Sequence, residues 1–290
     1  MTDEATDKTT SHLTNPANNA GQVIGYSHSA RSSKDGDQAA GYKFSVIIIT
    51  KNEAANIRAC LESVAWADEI IVVDSGSSDG TVEICRELGA RAYVHGWPGF
   101  GMQKNRALSY ATHEWVFSID ADERVTPELR SAIEAVLART DDEHIAYEIS
   151  RLSSYCGRFM RHSGWYPDHI VRLFKRGAAH FSDDLVHERL LVEGDVGQLG
   201  GELLHYAFDN LDEVLQKVNH YSSAGAAMLQ RRDRQATLPG AVLRGLWSFM
   251  RTYVLRGGFL DGREGFMLAV SNAEGTYYRY LKLMLLNKKP

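Results

Sequence analysis

The chain has 290 residues, of which 44% are hydrophobic and 24% charged. Those proportions suit a globular protein with one large domain, or one domain plus a smaller appendage. The formal net charge of −5 gives no electrostatic footprint for nucleic acid.

Residues 1–41 are polar, rich in Ser, Thr, Asn and Asp, and without apolar periodicity. They predict a disordered tail, because they bury too little surface to offset the entropy of ordering. They also lack the apolar core of a secretory signal. The organised part opens with Phe44–Thr50, a β-branched run expected of a strand buried on both faces. A helical pattern with Ile57, Leu61 and Val64 follows, then a second run from Ile70 to Asp74. The turn Ser75-Gly-Ser-Ser-Asp-Gly80 precedes a helix with Val82, Ile84, Cys85 and Leu88, for which Ser78 or Asp79 is the expected cap. A third strand is predicted over 91–95, a glycine-opened helix over 99–111, and a fourth strand over 115–120. Thr126 followed by Pro127 is a helix start.

Strand and helix thus alternate from 44 to 139, which implies a largely parallel α/β sheet. After residue 140 the pattern changes, with strands predicted over 147–152 and 169–174. From Asn210 the chain turns helical, with Leu211, Val214, Leu215 and Val218 on one face. The predicted organisation is a tail (1–41), a catalytic domain (42–209) and a helical, basic C-terminal region (210–290).

The cysteines, Cys60, Cys85 and Cys156, contain no C-x-x-C pair. That fits a reducing compartment, and Cys60 and Cys85 fall in apolar helical patterns as small core residues. The longest apolar runs, such as 46–49, are far too short to span a bilayer. A cytoplasmic protein is expected, free or attached peripherally.

Open α/β sheets bind ligands at the carboxyl ends of their strands. Three polar clusters fall there: Thr50-Lys-Asn-Glu53, Asp74-Ser-Gly-Ser77 and Asp120-Ala-Asp122. Each alone reads as a strand-end turn; three in register point to a site. The paired carboxylates Asp120 and Asp122 suit a hard divalent cation that shares its shell with diphosphate oxygens, and Glu123 is placed to join them. A general base is also required if a hydroxyl is to be activated. Carboxylates for that role lie in Phe181-Ser-Asp-Asp-Leu-Val-His-Glu-Arg189, with Asp183, Asp184 and Glu188 as candidates.

These segments closely resemble glycosyltransferase family 2: V-I-I-I-T-K-N-E, I-V-V-D-S-G-S-S-D-G-T, G-M-Q-K-N-R-A-L and S-I-D-A-D-E. The resemblance implies a GT-A fold, Rossmann-like with a mostly parallel twisted sheet, here with a helical C-terminal extension. It also implies an inverting enzyme that uses a nucleotide-sugar donor and Mg²⁺ or Mn²⁺. Carried over by residue, Thr50, Asn52 and Asp74 hold the uridine end, and Ser75 stands where many relatives have a second Asp. Glu53 completes the first cluster on the donor side. Asp120 and Asp122 serve the metal and donor sugar. Gln103, Lys104, Asn105 and Arg106 lie in the loop expected to meet diphosphate or ribose. Arg172 is expected to face phosphate. The V-H-E element makes Glu188 the base, with Asp183 and Asp184 behind it and His187 as a further metal ligand.

Over its whole length the chain looks most like one branch of that family, lipopolysaccharide core glucosyltransferases that add β-1,4-linked glucose to inner-core heptose. The stretch Tyr253-Val-Leu-Arg-Gly-Gly-Phe-Leu-Asp-Gly-Arg-Glu-Gly265 carries much of the similarity. It implies UDP-glucose and a lipid-linked saccharide acceptor. From Leu211 onward twelve Lys and Arg face six Asp and Glu, with large apolar side chains interleaved. That asymmetry predicts attraction to an anionic membrane surface, on the inner face of the cytoplasmic membrane. A polyprenyl-phosphate or protein acceptor, a nucleotidyltransferase and a non-catalytic binding module are the competing readings. The first strand is followed by Thr-Lys-Asn-Glu rather than the glycine-rich basic loop of a nucleotidyltransferase.

Overall fold

The computed structural model describes residues 43–139, 143–182 and 189–287. The predicted tail and the four acidic-loop candidates Asp183, Asp184, His187 and Glu188 lie outside the described residues. Within them, the run Phe44–Thr50 forms β1, flanked in parallel by β2 (Glu69–Asp74) and β4 (Trp115–Ser118), with β3 (Arg91–Val94) parallel to β2. The interior of this half is apolar on both faces, which is why β1 and β2 read as continuous hydrophobic runs. On one side Val46, Ile48, Val72 and Phe117 pack with Ile57, Leu61 and Cys85 from α1 (Ile57–Ser63) and α2 (Thr81–Glu87). On the other, Ile47, Ile71, Val73 and Val116 pack with Ala107 and Ala111, from α3 (Phe100–Tyr110) and the residue that ends it.

A short β5 (Glu123–Val125) leads into α4 (Pro127–Leu137), where the Thr126 hydroxyl accepts from the Leu129 N–H and Pro127 takes the first helical position, as predicted. The second half of the sheet departs from the parallel expectation. β8 (Asp168–Lys175) lies antiparallel to both β4 and β6 (Ala146–Tyr155), while β11 (Val196–His205) runs parallel to β6 and antiparallel to β5. The physical reason is the connection. β6 returns to β8 through a loop that holds only the two-residue strand β7 (Arg158–Phe159), and strands joined without a crossover helix pair antiparallel. The strand order is β3-β2-β1-β4-β8-β6-β11-β5, with β7 on β6, and β9 (Ala179–Phe181) and β10 (Leu190–Val192) pair separately.

The C-terminal region is α5 (Leu211–Arg231), α6 (Leu238–Met250), a π-helical turn over Arg251–Leu255, a 3₁₀ turn over Gly258–Asp261 and α7 (Gly262–Leu286). Asn210 caps α5 by accepting from the Glu213 N–H at 3.0 Å. Of the predicted α5 face, Val214 is buried, whereas Leu211 and Leu215 are exposed. A small core of Tyr155, Met160, Val214 and Leu268 joins these helices to the end of β6. Asp261, almost fully buried, strengthens that junction. Its carboxylate accepts from the backbone N–H of Arg161 (3.2 Å) and His162 (3.0 Å) and from the Ser163 hydroxyl (3.0 Å).

Candidate active site

Parallel pairing brings Thr50 opposite Asp74, so the first two polar clusters share one edge of the sheet. The Ile119 N–H donates to the Ile47 carbonyl at 3.1 Å and carries Asp120 to the same edge. The loops there are stitched to one another. Asp74 is buried and accepts from the N–H groups of Gly76 and Ser77, both at 2.8 Å, and from the Ser77 hydroxyl. Asn52, in the left-handed region at φ 55°, accepts from the Ser78 N–H at 2.9 Å and donates its own N–H to Ser77 Oγ at 2.7 Å. Asp79 accepts from the N–H of Ala54 (3.0 Å) and of Thr81 (3.2 Å). Asp74 and Asn52 therefore shape this rim through the chain itself. Glu53 lies on the same rim, and burial raises its carboxyl pKa; Asn56 offsets part of that, and the charge of Asp122 adds to it.

The glycine-opened helix supplies the opposite wall. Gly99, at φ 123°, precedes α3 in a conformation that disfavours a side chain. Gln103 is buried and donates to Ser75 Oγ at 2.9 Å, and Arg106 donates to Gln103 Oε1 at 2.6 Å. Asn105 clamps β9, donating to the Phe181 carbonyl (2.7 Å) and accepting from its N–H (2.8 Å). Lys104 reaches the cavity floor, 3.1 Å from Asp120 Oδ1 and 5.6 Å from the centre of the Phe181 ring.

Asp120 thus meets two cations, because Arg172 Nη2 on β8 lies 2.6 Å from its Oδ2. The same nitrogen lies 2.6 Å from Glu123 Oε1, and Arg151 stands 3.5 Å from that oxygen. Glu123 is fully buried and also accepts from the Asp120 N–H at 3.0 Å. It is therefore a strut beneath the Asp120-Ala-Asp122 turn and not a metal ligand. Arg172 likewise faces carboxylates, which identifies it as the residue that fixes Asp120. Burial alone would raise the Asp120 pKa; Arg172 and then Lys104 outweigh it and hold the carboxyl well below the ordinary range. Burial opposes the Arg172 charge, and Asp120 and Glu123 more than restore it.

Asp122 points elsewhere. Its Oδ2 lies 3.3 Å from His205 Nε2, at the end of β11, while His205 Nδ1 is 2.9 Å from Ser153 Oγ. His205 is a site residue that the sequence pattern did not single out. Its strand carries Gly197, Gly200 and Gly201, so no alternation of apolar and polar residues marks it. Thr50, Glu53, Trp97, Lys104, Asp120, Asp122 and His205 line one cavity of about 440 Å³. Thr50 Oγ1 is enclosed there and has no hydrogen-bond partner among the described residues. A second cavity of about 440 Å³ is shared by Lys104, Asp120, Arg172, Phe181 and Arg189.

Cys60 and Cys85 belong to the core, and burial pushes the Cys85 thiol up to about 12, which leaves it no nucleophile.

The sequence profile of Glycosyl transferase family 2 matches residues 45–190, about half of the chain and the segment that builds this edge. An uncharacterised glycosyltransferase of Rickettsia typhi is 32% identical over 258 residues, covering 85% of this chain and 88% of its own. A lipopolysaccharide core biosynthesis glycosyltransferase of Rhizobium meliloti (LpsC) is 31% identical over 249 residues, covering 82% and 89%. Among solved structures, glucosyl-3-phosphoglycerate synthase from Mycobacterium tuberculosis, in complex with Mn²⁺, uridine diphosphate and product, is similar with 26% identity and a TM-score of 0.34, covering 40% of this chain and 45% of that one. Relatives that share its length and a profile that matches its strand-end motifs lead to one conclusion: the chain belongs to glycosyl transferase family 2 and is a glycosyltransferase of GT-A fold.

Proposed function

We propose that the enzyme moves glucose, with inversion, from UDP-glucose to a lipopolysaccharide inner-core or similar lipid-linked acceptor, with Mg²⁺ or Mn²⁺ at the donor diphosphate. The observation that carries this reading is the cavity in which Asp122 and His205 converge beside Lys104 and Asp120. Asp122 Oδ2 and His205 Nε2, 3.3 Å apart, are satisfied either by a proton or by a cation between them. The Ser153 contact at Nδ1 orients the ring in the manner of a metal-bound imidazole. Among the described residues no cluster of three or more such ligands exists. An ion held here would complete its shell from diphosphate and water, the habit of Mg²⁺. Such an ion neutralises charge on the departing nucleotide.

The chain's own residues do the rest. Lys104 adds positive charge at the diphosphate, and its bond to Asp120 keeps both in place. The enclosed Thr50 hydroxyl, without a partner among the described residues, supports a contact to the nucleoside, and the rim built by Asn52, Asp74, Ser75 and Gln103 shapes its pocket. Glu188 is the base that takes the acceptor proton, with Asp183 and Asp184 near it in sequence. Its flanking residues support this, because Phe181 and Arg189 line the second cavity together with Asp120.

In this reading residues 42–209 are catalytic and residues 210–290 form the acceptor and membrane side. Leu243, Leu246, Trp247 and Leu255 are each 60–65% exposed, with Arg244 and Arg251 among them in sequence and Arg256 directly after. No helix among the described residues is long and apolar enough to cross a membrane, so this face would attach from one side. The lipopolysaccharide acceptor follows the likeness to the Rhizobium meliloti enzyme.

The test is calorimetric titration of UDP with and without Mn²⁺, repeated for His205→Ala. Tight binding that requires the ion and weakens in the variant is expected. UDP affinity indifferent to Mn²⁺ would sink the metal assignment.

A further inference from the structure

A further cavity lies away from the donor rim. It measures about 690 Å³ and is enclosed by α5, α6, α7 and the end of β6. Its lining contains five cations, Lys217, Arg244, Arg251, Arg256 and Arg279, and not one carboxylate. None of the five forms an ion pair among the described residues. Lys217 lies 4.5 Å from the Phe208 ring centre and Arg244 4.5 Å from that of Tyr280, so both rest on aromatic faces, and Arg244 also donates to the Gly240 carbonyl at 3.3 Å.

Two of these arginines are seated by glycines. A Cβ on Gly225 would come within 2.7 Å of Arg279 Nε, and one on Gly164 would collide with the Arg256 guanidinium. Arg279 Nε is enclosed and has no hydrogen-bond partner among the described residues. An enclosed, unpaired donor is costly, and like charges around one chamber repel. The chamber is therefore arranged for an anion. A water molecule takes about 30 Å³ of liquid, so a lone phosphate would leave most of this space unfilled. The remaining lining is what a sugar needs: hydroxyl and amide groups from Ser222, Ser248, Ser271 and Asn272, and aromatic walls from Trp165 and Trp247.

The chamber also lies close to the reaction centre. Phe208 in its wall is three residues beyond His205, which bounds their Cα separation at about 11 Å.

We infer that this chamber binds a phosphorylated saccharide, the phosphomonoester-bearing part of the acceptor, with Arg256 and Arg279 on the phosphate. The inference rests on the glycosyltransferase reading of the neighbouring cavity and adds the acceptor's chemical class to it.

The test uses the full-length protein and thermal stabilisation by glucose 6-phosphate, glucose and inorganic phosphate, with UDP and Mn²⁺ as the control ligand. Glucose 6-phosphate should stabilise the wild type more than either fragment does. Arg256→Gln and Arg279→Gln should each weaken that binding about tenfold, as loss of a charge-assisted hydrogen bond does, with UDP affinity unchanged. Arg279→Lys should retain most of it. Unchanged UDP binding also certifies that the variants are folded. Stabilisation by glucose 6-phosphate no greater than that by glucose or phosphate, or equal in wild type and both glutamine variants, would overturn the inference. So would binding to phosphatidic acid vesicles that needs Arg279 while glucose 6-phosphate has no effect, because the source would then be a lipid headgroup. Failure of UDP to bind, with glucose 6-phosphate still held by these arginines, would remove the donor reading and leave the chamber assigned.

Discussion

Around the Asp120 edge of the sheet, the cations meet carboxylates within the chain: Lys104 on Asp120, Arg172 on Asp120 and Glu123, Arg151 on Glu123 and Asp168. In the C-terminal helices the opposite holds. Five cations face a chamber without an acid, and an apolar face lies open beside them. The contrast separates two kinds of site. A donor site must present fixed charge to a small, invariant ligand, so its geometry is completed in advance by the protein. A surface that receives a large anionic partner leaves its charges unpaired until that partner arrives. In the proposed reading, self-satisfied charge marks the donor end and unsatisfied charge the acceptor end of one reaction.

Substitutions that break the completed half should have the largest effects. Asp122→Ala removes a carboxylate from the cavity without opening the core, so turnover should fall by more than about 10³-fold while circular dichroism is unchanged. Turnover within tenfold of wild type would separate Asp122 from the chemistry. Glu188→Gln keeps shape and removes basicity, and should lower kcat by about 10²- to 10⁴-fold. A fully active Glu188→Gln beside a dead Asp183→Asn or Asp184→Asn would move the base to those residues.

Arg172→Met tests self-satisfaction directly. It strands the fully buried Glu123 and loosens Asp120, and should cost about 3–5 kcal/mol in urea unfolding. A cost below about 1 kcal/mol would mean that the two carboxylates find other partners.

On the unsatisfied side, replacing Leu243, Leu246 and Trp247 together by Ser should leave thermal stability within about 0.5 kcal/mol per site, as expected of exposed positions. The same protein should fail to float with anionic vesicles. Wild-type protein that ignores both anionic and neutral vesicles would assign the face to protein contact.

The smallest expected effect sharpens the rim. The folded-state pKa of Glu53 is raised by burial, so its ionisation opposes folding above the unfolded value of about 4.3 and costs nothing well below it. Glu53→Gln should therefore stabilise the fold at neutral pH, with the gain vanishing as pH falls toward 4. A gain independent of pH would point to packing instead.

Much of the strand-end rim was legible in the sequence because its signals are local. The runs Phe44–Thr50 and Glu69–Asp74 announce buried strands, and the polar residues that end them must share an edge once the strands pair. Thr126-Pro127 fixed the start of α4 to the residue. What escaped was set by pairing across long stretches of chain. Arg172 meets Asp120 only because β8 inserts antiparallel beside β4, and nothing near Arg172 specifies that neighbour. Gly201 in β11 answers to a neighbour outside the strand, since a Cβ there would collide with the Leu129 backbone of α4. That packing erased the alternation that would have revealed the strand and, with it, His205. The predicted α5 face was partly wrong, because Val214 and Val218 reach the junction core whereas Leu211 and Leu215 stay exposed.

The Asp261 carboxylate bears on how enzymes of this kind can be recombined. Its acceptor oxygens fix residues 161–163, which also help enclose the basic chamber through Ser163. A chimera that exchanged only the segment after residue 210 would bring a foreign 3₁₀ turn to a loop made for this one. The transplantable unit is therefore discontinuous: the helices together with the β6–β8 loop, cut at Tyr155 and Asp168, where the strands offer regular backbone to rejoin.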